Sequence, residues 1–223
     1  MTLKMLDCFC GLGGVSDGFA KEDFDVLGID IEDMPSKGYK HKFLKADIKD
    51  LKGEDFKGYD VIWGSPPCRD FSQISLLYGK KWKDKPNPEN GISIIRAYLQ
   101  FVEDAKPTYW IMENVALLTK YFDSIKPRSI GFITYGKRHV FYGNYPLFLM
   151  PRDMRIKIRV KNKNGRDQPN YSYMEPAMRT NKLRKWVHAK IPLTCSQAFA
   201  KACREALESK EVSFILSEKQ AIP

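Results

Sequence analysis

The sequence predicts an α/β fold whose parallel sheet is covered by helices on both faces. Three observations predict it. Apolar strand-like runs alternate with helical segments through residues 3–114, a glycine cluster stands at the first strand-to-helix turn, and two further strand ends carry acids. In such folds ligands sit at the carboxyl ends of the strands. Residues 3–9, LKMLDCF, form a short apolar run ending at Gly11, Gly13 and Gly14, and GVSDGFAK then has helical character. FDVLGID (24–30) reads as the second strand, and HKFLKADI (41–48) contains the third. YDVIWG (59–64) is the fourth, cut off by Ser65-Pro66-Pro67 because consecutive prolines cannot continue a central strand. Ile92, Ile95, Leu99 and Val102 recur at spacings of 3, 4 and 3, one apolar stripe of a helix over 91–104. PTYWIMEN (107–114) is the fifth strand.

After Gly131 the texture changes to short β-like stretches, GFIT, HVFYG and PLFLM. Asn162–Gly165 then reads as the turn of a basic hairpin over 155–173. The last helix begins near Thr194. Its Cys195, Ala198, Phe199, Ala202, Cys203, Ala206 and Leu207 make one amphipathic face, so both cysteines belong to packing.

With 223 residues, 43% apolar and 13% aromatic, the chain can bury an ordinary core, and no run approaches the ~20 apolar residues of a membrane span. MTLKMLDCFC carries no signal-peptide apolar region. Five cysteines without a CxxC disfavour both a disulfide framework and a structural zinc site. A reduced, cytoplasmic protein without metal or membrane partner is expected. The net charge is +10, and residues 151–190 hold twelve Lys/Arg against three acids, so forty residues carry nearly all of the excess. A solvated face and a polyanion-binding surface both fit that distribution.

Three constellations carry chemistry. In Asp7-Cys-Phe-Cys-Gly-Leu-Gly-Gly14, glycines at a strand-to-helix turn let a ligand approach the backbone closely. The dinucleotide pattern GxGxxG is not met, because Ser16 stands where its third glycine belongs. Asp30 ends the second strand, placed to accept from ribose hydroxyls, and Asp47 ends the third, where an adenine amino group could be read. Together they suggest a cofactor containing adenosine. In Gly64-Ser-Pro-Pro-Cys68-Arg-Asp-Phe-Ser72, the prolines stiffen a loop that holds Cys68 at the same sheet edge. A lone cysteine is usually a small buried hydrophobe, but a proline-braced loop is a poor place for packing, and a thiolate there is a nucleophile. In Met112-Glu-Asn-Val115, Glu113 either caps the next helix or offers a proton or hydrogen bond to a bound base.

These residues resemble the DNA cytosine-C5 methyltransferases that use S-adenosylmethionine. The resemblance rests on DCFCGLGG (7–14), GIDIE (28–32), ADI (46–48), GSPPCRDFS (64–72) and MENV (112–115), in the family's order. It implies a Rossmann-like class I methyltransferase sheet with helices on both faces, plus a small basic β-rich appendage. The implied layout is a catalytic core over 1–143, a reduced target-recognition segment over 144–187, and a C-terminal segment over 188–223 whose helix returns to the core. The implied chemistry is methylation of cytosine C5 in a flipped base. Cys68 attacks C6 and Glu113 serves ring N3. S-adenosylmethionine supplies the methyl group and leaves as S-adenosylhomocysteine. Asp30 binds the ribose, Ile31 packs on adenine, and Asp47 with Ile48 holds the adenine side. Phe9, Gly11, Gly13 and Gly14 surround the methionine part, and Pro66 lies beside the cofactor.

The match departs from the family further on. Its QxRxR element corresponds to Thr134-Tyr-Gly-Lys-Arg138, which puts Arg138 on the second arginine, with Lys137 beside it and Thr134 and Gly136 in place of the glutamine and first arginine. The Gly-Asn-Ala-Val signature of the last motif is missing, and Pro192 and Ser196 are expected at the cofactor pocket in its stead. Only 44 residues intervene between Gly143 and His188, fewer than the usual recognition region. Arg69, Arg155, Lys157, Arg159, Lys161, Lys163, Arg166, Arg184 and Lys185 are the candidate nucleic-acid contacts, with Tyr171, Tyr173 and Trp186 as stacking faces. Double-stranded DNA is the favoured partner. The same chemistry on RNA of the tRNA kind, and a non-catalytic nucleic-acid-binding protein with this fold, are the alternatives.

Overall fold

The computed structural model describes residues 2–71, 85–122, 129–134, 137–148, 159–161, 164, 167–169 and 190–220. Its elements follow the predicted alternation: β1 (Lys4–Cys8), α1 (Gly14–Ala20), β2 (Asp25–Asp30), β3 (Lys42–Lys45), β4 (Val61–Gly64), α2 (Pro88–Ala105), β5 (Tyr109–Val115), β6 (Ser129–Thr134), β7 (Lys137–Asn144), β8 (Arg159–Lys161), β9 (Asp167–Pro169) and α3 (Leu193–Gln220). Seven strands form one sheet in the order β3-β2-β1-β4-β5-β7-β6. The first five are parallel, and β7 runs antiparallel to both of its neighbours. The sheet is therefore mixed, where alternation alone predicts a parallel one. Only two residues separate β6 from β7, and so short a connection allows antiparallel pairing but no crossover to a parallel neighbour. This strand order is that of the Rossmann-like sheet the resemblance implies.

Alternating side chains send each central strand into two cores. Met5, Val61, Trp63, Ile111 and Phe141 pack on one face with Phe19 of α1 and Cys195, Phe199 and Cys203 of α3. Leu6, Cys8, Ile62, Met112 and Tyr142 pack on the other with Ile95, Tyr98, Phe101 and Val102 of α2. Cys195 and Cys203 are fully buried, as their spacing predicts. On α2 the stripe is centred differently. Tyr98 and Phe101 are buried alongside Ile95 and Val102, whereas Ile92 and Leu99 are only half-buried at its margins. Counting aliphatics alone shifts the face; the aromatics carry more of its area.

Within the hairpin predicted over 155–173, the described residues form the antiparallel pair β8–β9, Val160 facing Gln168, with Asn164 at a turn between them; 155–158 and 170–173 lie outside the described residues. PLFLM gives no strand at residues 146–148. Among the described residues no helix is long and apolar enough to cross a membrane.

Candidate active site

A cavity of about 650 Å³ opens at the carboxyl ends of β1, β2 and β4 and at the turn after β3. Phe9, Gly11, Gly14, Asp30, Ile31, Asp47, Ile48, Cys68 and Arg69 all line it. The chain reaches this arrangement through a tight loop after β1. Phe9, Gly11 and Gly13 take φ values of 62°, 50° and 76°, so the backbone alternates through the left-handed region. The glycines enter that region freely; Phe9 does so at about 1–3 kcal/mol, a strain that clusters at ligand sites. The loop is pinned by Cys10 N–H donating to the Ile29 carbonyl at 3.0 Å and Gly13 N–H to the Cys10 carbonyl at 2.9 Å. Gly13 caps α1 but does not line the cavity itself.

Asp30 is tied to both walls. Its Oδ2 accepts from Gly11 N–H at 3.1 Å and its Oδ1 from Glu32 N–H at 3.0 Å, leaving further lone pairs on each oxygen. Burial pushes its carboxyl above the ordinary value against those hydrogen bonds. Beside it Ile31 is 61% exposed, an apolar side chain with the open cavity against it. Asp47 stands beyond β3, which ends at Lys45, and caps the short turn that follows by accepting from Lys49 N–H at 3.0 Å. The β3 strand is thus shorter than ADI suggests.

Ser16, the departure from the dinucleotide pattern, has a structural reason. It is fully buried; its hydroxyl donates to Asp7 Oδ2 at 2.6 Å, its N–H to the same oxygen at 3.1 Å, and Tyr39 Oη lies 2.9 Å from the hydroxyl. Burial pushes the Asp7 carboxyl up to about 7, against the lowering effect of Ser16. Asp7 and Tyr39 are not legible as site residues in sequence, although an acid inside an apolar strand run is the available signal for Asp7.

Cys68 is half-buried and packs beside the α2-side core, following the Pro66-Pro67 turn. Pro67 lines the cavity, whereas Pro66 is buried behind it and its carbonyl accepts from Asn114 Nδ2 at 3.2 Å. That bond joins the loop bearing Cys68 to the end of β5. Glu113, one residue earlier, is 7% exposed and is not among the cavity-lining residues; its Oε1 lies 2.6 Å from His139 Nδ1. Arg138 and Lys137 are placed in β7 opposite Ile133 and Thr134, with only their backbones described. Arg159 and Lys161 likewise are backbone positions of β8. Arg155, Lys157, Lys163, Arg166, Arg184 and Lys185, with Tyr171, Tyr173 and Trp186, lie outside the described residues.

The C-terminal segment does reach the cavity, through residues other than those expected. Lys190 and Ile191 line it, whereas Pro192 and Ser196 do not. Ser196 faces away because its hydroxyl bonds the Gly14 carbonyl. Lys190 Nζ lies 2.8 Å from Asp17 Oδ2, and His41 Nε2 lies 2.9 Å from Asp17 Oδ1. Burial pushes the Asp17 carboxyl up, but the bonds from Lys190 and His41 outweigh it and hold the group below its ordinary value. Among the described residues no group of three or more His, Cys, Asp or Glu could hold a metal ion.

A family model described as C-5 cytosine-specific DNA methylase matches residues 3–125. Type II methyltransferase M.FnuDI of Fusobacterium nucleatum is 29% identical over 118 residues, 51% of this chain and 32% of that one. M.MjaORF1200P of Methanocaldococcus jannaschii is 26% identical over 270 aligned residues that take in 84% of this chain and 73% of that one. The chain thus spans about a third of M.FnuDI, and similarly 34% of M1.HphI of Haemophilus parahaemolyticus. Among solved structures, the Entamoeba histolytica methyltransferase EhMeth superposes with a TM-score of 0.43 at 15% identity, over 65% of this chain and 53% of that one.

Proposed function

This chain belongs to the C-5 cytosine-specific DNA methylase family, and we propose that it transfers a methyl group from S-adenosylmethionine to C5 of cytosine in double-stranded DNA. One observation carries this reading: Cys68 and the adenosine-side residues Asp30, Ile31 and Asp47 line a single cavity. The volume lies within the usual range for small-molecule sites, about 300–1,000 Å³. The donor set also suits the cofactor: carboxylates for the ribose and amino group, an exposed apolar face for adenine, and a backbone loop for the methionine part. Bound there, S-adenosylmethionine supplies an electrophilic methyl carbon.

The protein's own residues supply the rest. Cys68 thiolate attacks C6 of a flipped cytosine, forming the Sγ–C6 bond and making C5 electron-rich. Glu113 bonds or protonates N3 as charge develops, and Arg138 holds the base. After C5 is methylated, loss of its proton expels Cys68. The division into a catalytic core at 1–143, a basic recognition segment at 144–187 and a returning C-terminal segment at 188–223 follows from the same reading. The recognition segment holds the β8–β9 hairpin with Arg159 and Lys161.

Trapping with 5-fluorocytosine tests it, because fluorine at C5 cannot leave as a proton does. With S-adenosylmethionine and a duplex carrying that base, a covalent adduct at Cys68 is expected, and Cys68→Ser should form none while binding S-adenosylhomocysteine normally. Parallel tritium transfer onto duplex DNA and tRNA assigns the substrate. No adduct with wild-type protein on either nucleic acid removes the enzymatic reading.

A further inference from the structure

In the antiparallel pair β5–β7, Glu113 faces Phe141 and Val115 faces His139. Residues two apart share a face, so Glu113 and His139 are diagonal neighbours across the ladder. Their contact at 2.6 Å is a short, direct hydrogen bond. Both residues are buried, at 7% and 5% exposed. Two other titratable groups feel Glu113. The Cys195 thiol of α3 is raised by burial first and then by the Glu113 charge, and the Tyr142 hydroxyl of β7 is pushed up to about 12 by the same two causes. Both stay neutral near pH 7. Among the described residues the hydrogen bond that reaches the Glu113 carboxyl comes from His139.

We infer that His139 is a positioning residue that acts through Glu113, an inference resting on the function proposed above. With Nδ1 carrying its hydrogen, His139 donates to Oε1 and turns the other oxygen, Oε2, toward N3 of the flipped base. Glu113 meets the base with a proton on Oε2; when the Sγ–C6 bond forms and the C5–C6 π bond breaks, that proton moves to N3 and leaves the carboxylate form whose charge is felt by Cys195 and Tyr142. The Nδ1–H bond stabilises that carboxylate. Elimination of Cys68 returns the proton from N3 to Oε2, so the pair ends each turnover as it began. A histidine here suits a carboxyl that must change charge while buried at a strand end, where an unpaired carboxylate is costly.

The test compares His139→Leu, which deletes the donor at similar volume, with His139→Asn, whose Nδ2–H falls near the place of Nδ1–H. Single-turnover methylation, adduct formation on the 5-fluorocytosine duplex, duplex KM and S-adenosylhomocysteine affinity are measured for both. His139→Leu should lower the methylation and adduct rates by about 100-fold, the size of a misplaced reacting group. Its KM and cofactor affinity should be unchanged, and His139→Asn should recover at least about a tenth of the wild-type rate. In a Glu113→Gln background the His139→Asn change should have no further effect, because coupled residues are not additive. That arm reads out even where the leucine variant fails to fold. A leucine variant with wild-type rates, an asparagine variant as slow as the leucine one, or full additivity with Glu113→Gln overturns the inference. If wild-type protein makes the adduct, these outcomes remove the role of His139 alone; if it makes none, the function itself falls and takes this role with it.

Discussion

The Ser196 hydroxyl donates to the Gly14 carbonyl at 2.8 Å, fastening the first turn of α3 to the first residue of α1 across 182 positions of chain. The two helices touch because α1 presents glycine there. A Cβ on Gly18 would lie 2.2 Å from Ser196 Oγ and 2.6 Å from the Gln197 backbone nitrogen. Gly18→Ala must therefore push α3 outward. Overpacking of this kind costs about 1–3 kcal/mol, to be read from urea denaturation. Lys190 and Ile191, just before α3, line the cavity, so S-adenosylhomocysteine affinity should fall with it. Unchanged stability and affinity would show that α3 can shift freely.

Asp7 predicts a pH dependence of stability. Its folded value of about 7 lies above the ordinary 3.8, with burial the main cause. The unfolded chain therefore ionises Asp7 first as pH rises. Stability is intact below about pH 4, declines through the interval up to about 7, and is level above that as far as this group is concerned. The loss is at most about 4 kcal/mol, at about 1.4 kcal/mol per unit. Asp7→Asn keeps an oxygen for Ser16 and removes the charge, so its denaturation midpoint should decline less over this interval than that of wild type. Parallel curves for the two proteins would contradict the raised value.

The Asp7 network also shows what the sequence could and could not reveal. Strands β1, β2, β4 and β5 are legible because each is a short apolar run with a chemical stop: glycines, an aspartate, two prolines, or the Glu-Asn pair. The meeting of Asp30, Ile31, Asp47 and Cys68 follows from strand order, since all four lie at or just beyond carboxyl ends of parallel strands. What stays hidden are partners set by distant packing. Tyr39 reaches Ser16 from 23 residues away, His139 reaches Glu113 from 26, and Lys190 reaches Asp17 from 173. No periodicity encodes such contacts. His139 has one local clue, a polar residue leading into the apolar run VFY on a strand whose inner face is otherwise buried.

Asp30 should govern cofactor affinity in two ways. Its carboxylate accepts from the Gly11 amide as well as facing the cavity, so on the function proposed above Asp30→Ala removes a ligand contact and loosens the loop proposed to hold the methionine part. Losing hydrogen bonds to a charged group costs about 1.5–3 kcal/mol, which is roughly 10- to 150-fold in affinity for S-adenosylhomocysteine by calorimetry. Ile31→Ser should weaken binding less and leave the melting temperature unchanged, because Ile31 is exposed and supports no core. Equal affinities for Asp30→Ala and wild type would move the adenosine end of the ligand away from β2.

The charge distribution predicts a salt dependence that separates affinity from catalysis. Residues 151–190 concentrate twelve Lys/Arg, and Arg159 and Lys161 lie in β8 among them. Each phosphate neutralised by such a side chain contributes about −0.9 to the slope of log affinity against log salt. If both residues grip the backbone, the Arg159→Ala, Lys161→Ala double variant should flatten that slope by about 2 and weaken binding to every duplex sequence alike. Lys21→Ala, a charge removed from an exposed position after α1, should leave the slope alone. The adduct rate at saturating duplex should be unchanged in both, since a phosphate grip acts on binding and not on the attack of Cys68. A slope that does not respond to the double variant would place the phosphate grip elsewhere on the chain. A slope that responds while discrimination between duplex sequences also changes would mean that the hairpin reads bases as well as holding the backbone.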